Sequence, residues 1–232
     1  MENDRTACRS IRMCVLSEPC WVYSFRVECR LKKTIPQVHW TRFSPGETIF
    51  RQGFPALGWY ILCRGRAKLF LRTAQGKRLI LRFGKLGDLL NPTVFGPHSF
   101  SAEAIDHCRI GFVDRDRVLF LLREHPELLK EALGRLSLWE ECLARKVGDL
   151  VALSVQERLV RALLELGEEH GIHEAEGIRL DLPLSQRDLA DLVGASRQAV
   201  CHELQRLAKK GLVRVEARRI TLTDQKGPHR SG

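Results

Sequence analysis

The stretch Leu184–Leu207, LSQRDLADLVGASRQAVCHELQRL, constrains this chain more than any other. Ser185 followed three residues on by Asp188 is the pattern of a helix N-cap with an acidic partner. Leu189, Leu192 and Val193 then form a short apolar stripe, and Gly194 ends that helix. Ser196 caps a second helix whose apolar side is Val200, Leu204 and Leu207. Two short helices joined by Gly194-Ala195-Ser196 read as a helix-turn-helix. Arg197 and Gln198 open the second helix and His202 follows one turn later, all three off the apolar stripe. From there they can reach base edges in a major groove. Arg pairs bidentately with guanine, and Gln can do so with adenine. An ordinary αα-hairpin with a polar outer face gives no reason for caps, glycine turn and leading Arg to coincide.

The charge distribution agrees. The chain has 232 residues and a net charge of +10. Residues 1–100 hold 17 Lys/Arg against 6 Asp/Glu, residues 101–196 hold 12 against 19, and residues 197–232 hold 9 against 3. The last block begins at the second helix, as expected of a surface that meets phosphates. No apolar run reaches membrane-spanning length and the first residues have no continuous apolar core. A cytoplasmic protein with no membrane partner is therefore expected. In a reducing compartment the eight cysteines suit metal or redox use better than structural disulfides.

Taken in order, residues 1–35 form a segment with four cysteines, Cys8, Cys14, Cys20 and Cys29, and little apolar periodicity. Residues 36–122 read as β-structure. Thr48–Phe50, Trp59–Leu62, Ala67–Leu71 and Arg78–Phe83 are β-prone runs separated by turn signals at Pro45-Gly46, Gly53, Gly65, Gln75-Gly76 and Gly84 to Gly87. Ser101–Ile105 and Arg109–Val113 would close a barrel or jelly roll. Residues 115–152 turn helical, with 123–152 as a long dimerisation helix. Leu129, Leu136, Leu143 and Leu150 recur every seven residues, with Leu133 and Val147 on the same side, a seam suited to pairing with a second copy. Residues 153–224 complete a winged helix-turn-helix. Ser154 with Glu157 opens a helix from Val155 to about His170, Gly171–Gly177 is a loop, and Ile178–Leu182 is a short strand. Leu212–Val215 and Arg219–Leu222 form the wing around Ala217-Arg218, whose basic tip would lie near the DNA backbone. Residues 225–232 are expected to be a disordered tail. The fold class is α+β.

With these pieces in order, the chain resembles transcription regulators of the cAMP-receptor-protein/fumarate–nitrate-reductase-regulator (CRP/FNR) family over roughly residues 40–224. PGETIFRQGFPALGWYILCRGRAKLFL is similar to that family's cyclic-nucleotide-binding-like barrel. VGASRQAVCHELQRLAKKGLVRV is similar to its recognition helix and wing. The resemblance implies a homodimer joined by the long helix, each wing domain reading half of a near-palindromic duplex operator, with RNA polymerase as a further partner. The family's DNA-reading triad falls on Arg197, Gln198 and His202. Gln198 stands where Glu is common and shifts the preference toward adenine. His202 stands where Arg is common and is a weaker, pH-dependent donor. Ser185 and Ser196 match positions that usually touch phosphate.

The effector is argued from what departs from the family. In its cAMP-binding members a Gly-Glu pair and then an Arg-Ser pair hold the cyclic phosphate. Here Gly87-Asp88 is followed by Leu89-Leu90-Asn91-Pro92, and Pro97–Ser101 has no Arg or Lys, so cAMP is not expected. Other members hold a 4Fe–4S cluster on three N-terminal cysteines and one from the barrel. The matching inventory here is Cys14, Cys20 and Cys29, with Cys108 or Cys8 as the fourth ligand. The tight Cys-x-x-Cys pair of those members is missing, and Cys108 falls a few positions early. Zinc or thiol redox sensing is the alternative use of these cysteines, and a haem on Cys or His98 a further one. Cys63 and Cys142 suit buried small residues, and Cys201 a packing residue with a thiol switch as its rival. The remaining histidines form no metal-ligand pattern, and no catalytic constellation points to an enzyme. The functional alternative is a constitutive or small-ligand-gated DNA-binding protein whose barrel holds no cluster.

Overall fold

The computed structural model describes residues 38–216 and 219–223. Cys8, Cys14, Cys20, Cys29, Arg218 and the expected tail 225–232 lie outside the described residues. The chain divides into two compact units, Met1–Leu71 with Arg82–Glu140, and Arg72–Leu81 with Glu141–Gly232.

The β-structure expected of residues 36–122 is present. Seven strands follow one another: β1 (His39–Phe43), β2 (Thr48–Phe50), β3 (Gly58–Arg64), β4 (Ala67–Arg72), β5 (Arg78–Gly84), β6 (Ser101–Ala104) and β7 (Cys108–Asp114). They form two antiparallel sheets, ordered β1-β7-β3 and β2-β6-β4-β5. Six of the seven coincide with the β-prone runs. β1 has no such run: its pattern is almost wholly exposed, and pairing with β7, from His39 opposite Phe112 to Phe43 opposite Cys108, makes it a strand. Alternation in β3 and β7 buries Trp59, Ile61 and Val113 against Val118, Leu121, Leu128 and Ala132 of the helices that follow.

Those helices are two. α1 (Arg115–Glu124) is capped by Asp114, whose side chain accepts from the Arg117 amide, and it ends at His125. α2 (Pro126–Ala152) restarts with Pro126, which suits a first helical position because no amide partner is needed there. The stretch 115–152, expected to be helical, is thus two helices that meet at His125. α2 has two apolar faces. Leu128, Ala132 and Trp139 are buried, and Trp139 stacks on Phe100 at 4.8 Å. Leu129, Leu133, Leu136, Leu143 and Val147 remain 38–61% exposed.

The second unit has α3 (Val155–His170), β8 (Gly171–Glu174), β9 (Gly177–Leu180), α4 (Gln186–Val193), α5 (Arg197–Lys209), β10 (Val213–Glu216) and β11 (Arg219–Thr223). Its sheet order is β10-β11-β9-β8. The stretch Gly171–Gly177 is therefore not a loop: β8 pairs with β9 in a hairpin, Gly171 opposite Leu180. Leu159, Ala162, Leu163 and Leu166 of α3 are buried, as their helical spacing predicts. Among the described residues no helix is long and apolar enough to cross a membrane.

Candidate nucleic-acid interface

The helix-turn-helix is built by its caps. The Ser185 hydroxyl accepts from the Asp188 amide at 3.0 Å, and the Asp188 carboxylate accepts from the Ser185 amide at 3.1 Å, a complete capping box. Gly194 then takes a left-handed φ of 65°, and the Ala195 amide reaches back to the Ala190 carbonyl at 3.0 Å. A Cβ on Gly194 would stand 2.7 Å from Leu150 Cδ2 and 3.4 Å from Leu79 Cδ1, so turn and glycine require each other. Leu150, expected on the dimer seam, is half-buried and sits against this turn. Ser196 caps α5 by accepting from the Ala199 amide at 3.1 Å. Arg158 braces the unit from outside the motif. Its guanidinium donates to the Val193 carbonyl at 2.7 Å and to the Leu153 carbonyl at 2.6 Å, tying the start of α3 to the end of α4.

Val200, Leu204 and Leu207 anchor α5 in the core. The opposite side of α5 faces solvent, where Ser196, Arg197, Gln198, Cys201, His202 and Gln205 line one open concavity. Arg197, Gln198 and His202, the three residues expected to read bases, are thus brought together and exposed. The His202 ring nitrogen Nδ1 lies 3.2 Å from Glu203 Oε1. Arg206 donates to both Glu203 oxygens at 3.1 Å. Partial burial raises the Glu203 pKa, but the hydrogen bonds from His202 and Arg206 outweigh it and leave it below the ordinary carboxylate range. Of the two phosphate-position serines, Ser185 has its hydroxyl committed to Asp188 at 2.5 Å, while Ser196 uses only its oxygen. Arg218 lies outside the described residues; Glu216 and Arg219 face each other on the strands that flank it.

Sequence inspection missed Gln186. It is the first residue of α4, and its side-chain oxygen Oε1 accepts from Cys201 Sγ at 2.9 Å and from Arg197 Nε at 3.4 Å. Nothing in the spacing signals partners 11 and 15 residues away across a turn.

In the β-domain, Cys108 is buried, its thiol donating to the Arg66 carbonyl at 3.1 Å. Burial, with Asp106 adding its negative charge, pushes the thiol pKa up to about 11. Among the described residues no three His, Cys, Asp or Glu side chains are grouped as metal ligands. After Gly87-Asp88, Leu89 and Leu90 are buried in the core. The Asn91 side chain turns back on Thr93, donating to its carbonyl at 2.8 Å. His98 stacks on Phe50 at 4.4 Å, and the Ser101 hydroxyl accepts from the Gln52 amide.

Residues 40–125 match the cyclic nucleotide-binding domain family, and residues 157–227 match the Crp-like helix-turn-helix domain family, together about two-thirds of the chain. The chain belongs to the CRP/FNR family of transcription regulators. Among its relatives is the CRP-like cAMP-activated global transcriptional regulator of Mycobacterium tuberculosis, 29% identical over 78% of this chain and 83% of the relative. Another is the nitrogen fixation regulation protein FixK of Bradyrhizobium diazoefficiens, 28% identical over 78% of this chain and 77% of the relative. A solved structure of CooA from Carboxydothermus hydrogenoformans is 20% identical and superposes with a TM-score of 0.76 over 90% of this chain and 94% of that one. This CRP/FNR protein is accordingly a DNA-binding transcription regulator and not an enzyme.

Proposed function

We propose that this regulator works as a homodimer that reads a near-palindromic duplex operator, one half-site per recognition helix, and takes its input from the chemistry of its N-terminal cysteines and not from cAMP. The observation that carries the reading is the solvent face of α5, where Arg197, Gln198 and His202 stand together on a helix fixed at both ends of the turn. Dimerisation rests on the exposed leucine stripe of α2, which one chain leaves uncovered. A two-fold dimer presents two recognition helices, and only one spacing fits major grooves a helical turn apart. Bound beside a promoter, such a dimer meets RNA polymerase.

The input is argued from chemistry. A cyclic phosphate would face Pro97–Ser101, a segment without Arg or Lys to pair its charge, where His98 stacks on Phe50. Cys108 is buried with its thiol donating to the Arg66 carbonyl at 3.1 Å, so ligation there would require that hydrogen bond to be given up and the proton to be displaced by the metal. The candidate donors are Cys14, Cys20 and Cys29, thiols of one short segment, with Cys108 or Cys8 as the fourth. A 4Fe–4S cluster bound there would supply sensitivity to oxygen; the same thiols with zinc, or alone, would supply sensitivity to oxidants. The test is anaerobic purification with metal and sulfide analysis, followed by duplex binding before and after air exposure. Iron, sulfide and a loss of binding in air that Cys20→Ala or Cys29→Ala abolishes is the expected result. Identical binding in both atmospheres by wild type refutes the cysteine input, and a protein that runs as a monomer without duplex affinity refutes the whole reading.

A further inference from the structure

Base reading by Arg197 depends on more than its place on α5. An exposed arginine at a helix start samples many rotamers, and fixing it costs entropy at binding. Here α4 supplies a restraint. Gln186 Oε1 accepts from Arg197 Nε at 3.4 Å and from Cys201 Sγ at 2.9 Å. Arg197 and Cys201 are four residues apart on α5 and so share a face. The two donors occupy both lone pairs of one amide oxygen, which sets the orientation of the Gln186 side chain.

The contact is selective in two ways. It takes the guanidinium through Nε, and the terminal nitrogens Nη1 and Nη2 of Arg197 have no partner among the described residues. An amide oxygen also leaves the guanidinium charge in place. A carboxylate at the same point would neutralise it and compete with the base. We infer that Gln186 is a positioning residue for sequence recognition: it holds Arg197 by Nε so that the guanidinium meets guanine end-on, through its two terminal amino groups. The inference rests on the proposed base reading by Arg197.

The experiment uses the full-length protein and a library of randomised duplex DNA. Wild type, Gln186→Ala, Gln186→Glu and Arg197→Ala are each taken through selection and sequencing. Affinities are then measured on the wild-type site and on the same site with the guanine assigned to Arg197 changed to adenine. Arg197→Ala identifies that guanine as the position where preference disappears. Gln186→Ala should lower affinity for the guanine site about three- to tenfold, the worth of one long, exposed hydrogen bond. It should leave the adenine site unchanged and add nothing in the Arg197→Ala background. Gln186→Glu, whose carboxylate would neutralise the guanidinium, compete with the base and repel phosphates, should bind all sequences more weakly and lose part of the guanine preference. A Gln186→Ala protein that discriminates as wild type does, or loses affinity equally on every sequence, overturns the positioning role while base reading by Arg197 stands. A wild type that selects no motif, or an Arg197→Ala that selects the same one, overturns the base reading and this inference with it.

Discussion

Replacing Gly194 with Ala tests how tightly the turn of the helix-turn-helix is built. Two costs arise. The left-handed φ of 65° penalises any Cβ by about 1–2 kcal/mol. The added carbon would stand 2.7 Å from Leu150 Cδ2, forcing that side chain off its rotamer for a further ~0.5–1.5 kcal/mol. Against these, Ala lowers the entropy of the unfolded chain by about 0.4–1 kcal/mol. The net expectation is a loss of about 1–2 kcal/mol. Gly211 is the control. Its φ is 68°, and a Cβ there meets nothing within 4 Å, so Gly211→Ala carries the backbone cost alone. The difference between the two variants isolates the Leu150 contact, and Leu150→Ala should erase it. Urea unfolding followed by helical circular dichroism measures the effect. Every tryptophan precedes residue 140, so indole fluorescence reports the β-domain unit in the same sample. Equal costs at Gly194 and Gly211, or a difference that survives Leu150→Ala, would refute the argument.

Three further outcomes are expected. Leu136→Glu with Leu143→Glu places charges on the exposed seam of α2 and should convert a dimer to monomers in sedimentation without loss of helical signal, because neither residue is in the core of its own chain. Native Cys108 should resist alkylation at neutral and mildly alkaline pH, its thiol staying protonated to about pH 11, and should react at once in denaturant; prompt native labelling, mapped by mass spectrometry, would contradict its buried donor geometry. Burial holds the His98 pKa below 6.5, so the unfolded chain binds its proton first. The stability this neutral ring contributes is present above pH 6.5 and is lost as pH falls from there through the folded pKa; His98→Phe, which keeps a ring on Phe50, should flatten the melting temperature between pH 7 and pH 5.

The caps, the glycine turn and the seven-residue leucine repeat were legible in the sequence because each is a local pattern, set by residues three to seven apart. They give the helix-turn-helix and the outward stripe of α2. Tertiary contacts decided the rest. β1 and β8 carry no period of their own and become strands only by pairing with β7 and β9. The second face of α2 depends on Trp139 finding Phe100, 39 residues earlier in the chain. Cys108 has the residue type of a ligand, but its burial and the neighbouring Asp106 charge, which push its thiol pKa up, come from the fold. Gln186 reaches Arg197 only because Gly194 folds α4 back against α5. A residue's chemistry is written in its side chain, whereas its protonation, partners and exposure are set by groups that the fold brings to it from elsewhere in the chain.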